Sequence, residues 1–196
     1  RQKGRPRALG PAWRRRSDAA LATPAGRALV DRWDQAQAAL LADLADSVVA
    51  AARRNPRYAA EPAFRAFTES PLLFFLAVDN VNQFGEPTRL RRFLAGEADP
   101  KGGPVLGGQP FDLTGWARYE AGYRWVRLGD GPAGGRGGDP DKGARDMRRR
   151  RRVLVDGLAA AGLLDAAAAA QARGVVAAVY LSEREKQVRA SPGPAA

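Results

Sequence analysis

Twelve of the fifteen aromatic side chains in this chain fall between Tyr58 and Leu128, together with most of the large aliphatic residues that lie outside its other helical stretches. Burial of such side chains drives folding, so this stretch supplies the core and the rest of the chain is arranged around it. Its local signals are helical. Ser70 followed by Pro71 is a helix start, because the hydroxyl caps orphan amides and Pro71 takes a position whose missing N–H costs nothing. The run from Leu72 to Val78 is apolar on all sides, as expected of a buried helix. Asp79, Asn80, Asn82 and Gln83 end it well short of the roughly 20 apolar residues that span a bilayer. Gly85 closes this helix, and Pro87 opens a short one carrying Leu90, Phe93 and Leu94 before Gly96. The segment from Gly96 to Pro110 has no period and reads as a loop. A further helix starts at Asp112 or Thr114, in which Leu113, Trp116, Tyr119 or Glu120, Tyr123 and Val126 recur at three to four residues. Trp116, Tyr119 and Tyr123 share one face, expected to be core rather than a base-stacking platform, while Arg118, Arg124 and Arg127 fill the other side.

Thr23 with Pro24 repeats the capping signature ahead of a long helix. It should end at Arg53 or Arg54, since Asn55 precedes Pro56 and is pushed out of the helical region. Asp31, Asp34, Asp43 and Asp46 line its polar side, and solvation explains them better than acid–base or metal chemistry. Phe64 and Phe67 belong to a short helix that hands the chain to the central one. Towards the C-terminus, Asp139 and Pro140 cap a helix holding five consecutive arginines, Arg148 to Arg152. At 100° per residue these girdle the helix. Met147, Leu154, Val155 and Leu158 mark its apolar side, which puts Arg151 near the packed face and points Arg149 and Arg152 outward. Gly162 ends this helix and Asp165 caps an Ala-rich one, so Val153 to Tyr180 reads as a helical hairpin. No segment alternates like a strand.

The expected fold is therefore all-α, with six or seven helices around an aromatic-rich core. A basic extended arm covers residues 1–22, a helical core domain 23–128, a Gly-rich linker 129–143, a C-terminal helical hairpin 144–190 and a tail 191–196.

Charge points to the class of partner. The chain carries 32 basic residues, of which 28 are arginine, against 21 acidic ones, a net charge of +11. Such a balance points first to nucleic acid, for which the planar guanidinium is well suited. GC-rich coding also enriches arginine, so the net charge carries more weight than the preference for arginine. There is no cysteine and no histidine, which removes disulfides, thiol chemistry, the usual zinc ligand sets and the commonest general base. No catalytic residue, metal ligand set or cofactor is assigned, and the chain is not expected to be an enzyme. The seven glycines between Gly129 and Gly143 include a single Arg-Gly-Gly element at Arg136, but they lack the Gly-Lys-Ser or Gly-Lys-Thr ending of a phosphate-cradling loop. They read as a linker.

The first sixteen residues contribute +7 with no acid, and residues 139–156 a net +3, so these two segments hold nearly all of the excess charge. Phosphate contacts are expected from Arg1, Lys3, Arg5, Arg7, Arg14, Arg15 and Arg16 in the arm. Arg148, Arg149 and Arg152 are expected to supply them in the girdle. An arginine girdle at a core edge is costly without counter-charges, and Asp146 and Asp156 offset only part of it, which leaves phosphates for the remainder.

In composition and layout the chain resembles the lineage-specific accessory subunits of large organellar complexes. The expectation is a non-catalytic structural subunit of an organellar ribonucleoprotein, most concretely a mitoribosomal protein that contacts rRNA phosphates and neighbouring protein subunits. The alternative is an accessory structural subunit of a mitochondrial membrane energy-transducing complex, a respiratory complex or ATP synthase. There the arm would meet proteins or anionic headgroups and the Leu72 to Val78 run would meet a partner, without a transmembrane span. An acid-poor, Arg-rich start at Arg1 rather than Met fits the mature end of an imported protein in the matrix of the mitochondrion or another organelle.

Overall fold

The computed structural model describes residues 11–85, 87–100, 105, 106, 108, 110–121, 142–181 and 183–190. Among these residues the chain forms ten helices and no strand, more than the six or seven expected, because short helices also open at Pro11, Pro56 and Glu183. Two compact units are present, residues 1–43 and Leu44–Ala196.

In the first unit, α1 (Pro11–Leu21) is followed at once by α2 (Pro24–Arg53), which continues into the second. The extended arm expected over residues 1–22 is thus corrected from Pro11 onward: proline fits the first helical turn, and Ala12, Ala19 and Ala20 favour the helix. Residues 1–10 lie outside the described residues. Between the two helices Thr23 Oγ1 donates to Ala20 O at 2.7 Å and accepts from Gly26 N at 3.0 Å, capping α2. The corner demands glycine at 26, because a Cβ there would lie 2.1 Å from Ala20 O. Leu29, Val30, Trp33 and Leu40 on α2 are exposed in this unit, Trp33 at 67 %.

The second unit is built from the end of α2, α3 (Pro56–Ala60), α4 (Pro62–Thr68), α5 (Pro71–Phe84), α6 (Thr88–Ala95) and α7 (Leu113–Ala121). Three further helices complete it: α8 (Lys142–Ala160), α9 (Ala166–Val179) and α10 (Glu183–Ala190). Asn55 ends α2 and caps α3, its Oδ1 accepting from Arg57 N at 3.1 Å. Its amide reaches across the fold to Leu94 O at 2.9 Å, fastening the start of α3 to the end of α6. Ser70 Oγ accepts from Leu73 N at 3.2 Å, Asp112 Oδ1 from Thr114 N at 2.8 Å and Asp165 Oδ1 from Ala168 N at 2.7 Å, so the expected caps of α5, α7 and α9 all form. Gly96 takes a left-handed φ of 78° to close α6.

The core gathers Phe64, Leu73, Leu76, Leu90, Phe93 and Leu94 against Phe111, Trp116 and Tyr119, as the aromatic-rich stretch implied. Phe111 sits 5.1 Å from both Phe64 and Phe67, and Phe93 4.4 Å from Tyr119, between ring centroids. Leu72, Leu73, Leu76 and Ala77 bury one side of α5, whereas Phe74 is half-buried and Phe75 exposed, so the all-apolar run is a core helix with one wet edge. The hairpin of α8 and α9 packs into this same core through Met147, Val155, Leu158, Ala172 and Val176 rather than forming a body of its own. α8 packs on α5 and α9, and α9 on α7. The Gly-rich linker expected over 129–143 gives way to α8 at Lys142; its residues 129–141, with Tyr123, Arg124, Val126 and Arg127, lie outside the described residues.

Candidate anion-binding groove

The five consecutive arginines of α8 meet four different fates, set by the helical period. Arg151, in line with Met147, Val155 and Leu158, turns inward and has no exposed side-chain surface. Its Nε donates to Glu120 Oε2 at 3.0 Å, one terminal nitrogen donates to the other oxygen of the same carboxylate, and the second reaches Asp79 Oδ2 at 2.5 Å. Arg150 donates to the remaining oxygen of Asp79, Gln83 Nε2 donates to Asp79 Oδ2 at 2.6 Å, and the buried Tyr180 hydroxyl donates to Glu120. Three helices, α5, α7 and α8, are tied through one buried arginine, and Tyr180 at the end of α9 joins them through Glu120. Burial by itself would lower the Arg151 pKa, but the Glu120 carboxylate and its hydrogen bonds override this and raise it, keeping the guanidinium charged. Tyr180 is pushed well above its ordinary value, first by burial and then by the adjacent Glu120 charge.

The counter-charges for Arg150 and Arg151 therefore come from α5 and α7, 71 and 31 residues away in the chain. The expectation that only Asp146 and Asp156 offset the girdle is corrected, because sequence proximity hid Asp79 and Glu120. Arg148 is also spoken for: it makes a two-bond contact to Glu185 on α10, at 2.8 and 3.2 Å.

Arg149 and Arg152 do point outward, with side-chain exposures of 74 % and 75 %. Arg145, Arg149, Arg152 and Asp156 follow a four–three–four spacing, which places them on one face of α8. Across the hairpin Arg173 of α9 joins them, its Nε donating to Asp156 Oδ1 at 2.7 Å. The other Asp156 oxygen lies 3.9 Å from Arg152 Nε, and Arg149 is held at 2.9 Å by Asp146. Together these side chains and Arg148 line a groove of ≈ 770 Å³ between α8 and α9, with Val153, Val176 and Ala177 as its apolar floor. Five arginines and Asp156 line it, while Asp146 and Glu185 pair with Arg149 and Arg148 from beside it, so five cations stand against three acids, an excess that attracts polyanions.

Of the arginines that line this groove, Arg148, Arg149 and Arg152 are among those expected from the sequence to contact phosphate, whereas Arg145 and Arg173 are not. The four–three–four spacing was a sufficient signal for Arg145; Arg173 is placed by the hairpin register, which no local pattern encodes. Of the residues expected in the arm, Arg15 and Arg16 are exposed on α1. Arg14 belongs to the same helix, while Arg1, Lys3, Arg5 and Arg7 lie outside the described residues. Asp31, Asp34, Asp43 and Asp46 are all exposed on α2, and no group of three metal-ligating side chains converges among the described residues. No helix among those residues is long and apolar enough to cross a membrane. No family model, curated protein or solved structure matches this chain.

Proposed function

We propose that this chain is a non-catalytic structural subunit of a large organellar ribonucleoprotein, most concretely a mitoribosomal protein. In this reading it works in the organelle matrix, where it holds rRNA phosphates beside neighbouring protein subunits. The observation that carries this reading is the division of labour along α8. Arg151 is locked into the core by Glu120 and Asp79, and the same turn of helix presents Arg149 and Arg152 beside Arg145 and Arg173 on an arginine-lined groove. A rigid buried anchor under an outward cationic row suits a positioning contact to a phosphate backbone, not turnover chemistry. The basic N-terminal segment adds a second cationic element, with Arg15 and Arg16 exposed on α1.

Contact with RNA phosphates releases counterions, so binding of the full chain to RNA should fall with salt at a log–log slope of about −0.7 to −0.9 per phosphate neutralised. Association with the native particle should likewise be lost on nuclease digestion. A slope near zero together with nuclease-resistant association would replace this reading with a second one, an accessory subunit of a membrane energy-transducing complex. The exposed stripe of Leu29, Trp33 and Leu40 on α2 suits a protein neighbour under either reading. The Leu72 to Val78 run gives the second reading no support, because its leucines are core.

A further inference from the structure

Within the reading just proposed, we infer that the α8–α9 groove seats one phosphodiester strand of nucleic acid. We also infer that Asp156 occupies the place of a phosphate there until the strand displaces it. Asp156 stands between two guanidinium groups, 2.7 Å from Arg173 Nε and 3.9 Å from Arg152 Nε, so both are already aimed at a shared anion. All three side chains are well exposed, at 44 %, 47 % and 75 % for Asp156, Arg173 and Arg152. Exposed ion pairs of this kind hold weakly and exchange readily. A phosphodiester offers oxygens to both guanidinium forks at once and brings its own neighbours along the row, which a single carboxylate does not.

The dimensions favour a strand over an isolated anion. Arg145 to Arg152 extend about 10 Å along α8 at 1.5 Å per residue. Such a row is long enough to meet two successive phosphates of one strand, more than an isolated anion would use. Among the described residues no aromatic side chain lines the groove, and its floor of Val153, Val176 and Ala177 carries no side-chain hydrogen-bonding group. Contact is thus to the backbone and independent of base sequence. Asp156 acts as a positioning residue: it pre-orients Arg152 and Arg173 and lowers the net charge of the empty groove.

The test uses the full chain, RNA and DNA hairpins of one sequence, and phosphatidylserine vesicles, each over a salt series. Asp156→Asn should tighten RNA binding several-fold and steepen the salt slope by about 0.7 to 0.9, since one more cation is left for a phosphate to neutralise. Arg173→Ala should weaken binding and flatten the slope by a similar amount. Asp156→Glu should behave as the parent, and so should Asp43→Asn on the exposed face of α2. If the parent slope is steep but Asp156→Asn and Arg173→Ala leave it unchanged, the groove inference is overturned while the ribonucleoprotein reading survives on the N-terminal arginines. A parent slope near zero removes both. RNA bound as tightly as DNA, or more tightly, supports the inference; groove-dependent binding of the DNA hairpin alone keeps the groove and removes the RNA reading. Vesicle binding that Arg173→Ala abolishes, with RNA binding untouched, reassigns the groove to lipid headgroups.

Discussion

Arg151 and Glu120 face each other as a two-toothed fork in which neither side chain has any solvent exposure. A charge pair placed this deep gains from mutual attraction only what is left after both groups lose their water, so its net contribution to stability is small while the cost of breaking it is large. Arg151→Met alone strands Glu120 as a buried, unpaired carboxylate and should destabilise the fold by about 3–5 kcal/mol. Arg151→Met combined with Glu120→Leu should recover much of that loss. Denaturant midpoints of the two single variants and the double variant measure the coupling; additive losses would mean the pair is not buried as described.

The same buried cluster bears on the alkaline limit. Tyr180 is raised well above its ordinary value, first by burial and then by Glu120. In the unfolded chain it ionises near pH 10, whereas in the folded chain it keeps its proton to higher pH. The unfolded state therefore releases this proton first: the stabilisation is fully present below about pH 10 and declines as pH rises towards the folded value. Tyr180→Phe should cost about 1.5–3 kcal/mol near neutrality through the lost bond to a charged acceptor. It should also make the melting temperature less sensitive to pH above about 10 than in the parent. Parallel melts across that range provide the check.

How much of this was legible beforehand differs between backbone and charge network. Helix starts are written locally, in Ser70–Pro71, in Asp112 and in Asp165, and each cap forms where the sequence puts it. The inward turn of Arg151 was legible too, because periodicity ties it to Met147 and Val155. What it would meet was not legible. Asp79 reads as the polar end of an apolar run and Glu120 as one of two choices for a helix face, yet both turn inward and become the partners of Arg151. Long-range pairing between α5, α7 and α8 is a property of packing, which local pattern does not encode. Residues 11–21 differ for another reason: basic side chains with Gly10 and Pro11 read as an extended arm, yet proline in the first turn is compatible with the helix that forms there.

Packing sorts the aromatic residues by cost. Trp116 has no exposed surface, so Trp116→Ala should destabilise by about 3–5 kcal/mol. Phe74 is only half-buried, which lowers the cost expected from its all-apolar neighbourhood, and Phe75 is 37 % exposed. The melting temperatures of the three alanine variants should rank Trp116 lowest and Phe75 highest; a Phe75 variant as unstable as the Trp116 variant would reverse the assignment of the wet edge of α5.

Asn55 supplies the clearest case of one short side chain joining distant elements. Its Oδ1 caps α3 through Arg57 N, its Nδ2 satisfies Leu94 O at the end of α6, and a Cβ at Gly96 would come within 3.1 Å of that same Nδ2. Asn55→Ala removes the cap, worth about 1 kcal/mol, and leaves a buried carbonyl unpaired at a further cost of about 1–3 kcal/mol. Asn55→Asp keeps the cap and loses only the bond to Leu94, placing a carboxylate against a carbonyl oxygen instead. If the tie to Leu94 matters more than the cap, Asn55→Asp should be at least as destabilising as Asn55→Ala, and hydrogen exchange should speed up at the C-terminal end of α6 in both. Recovery of near-parental stability by Asn55→Asp would assign the role of this residue to α3 alone.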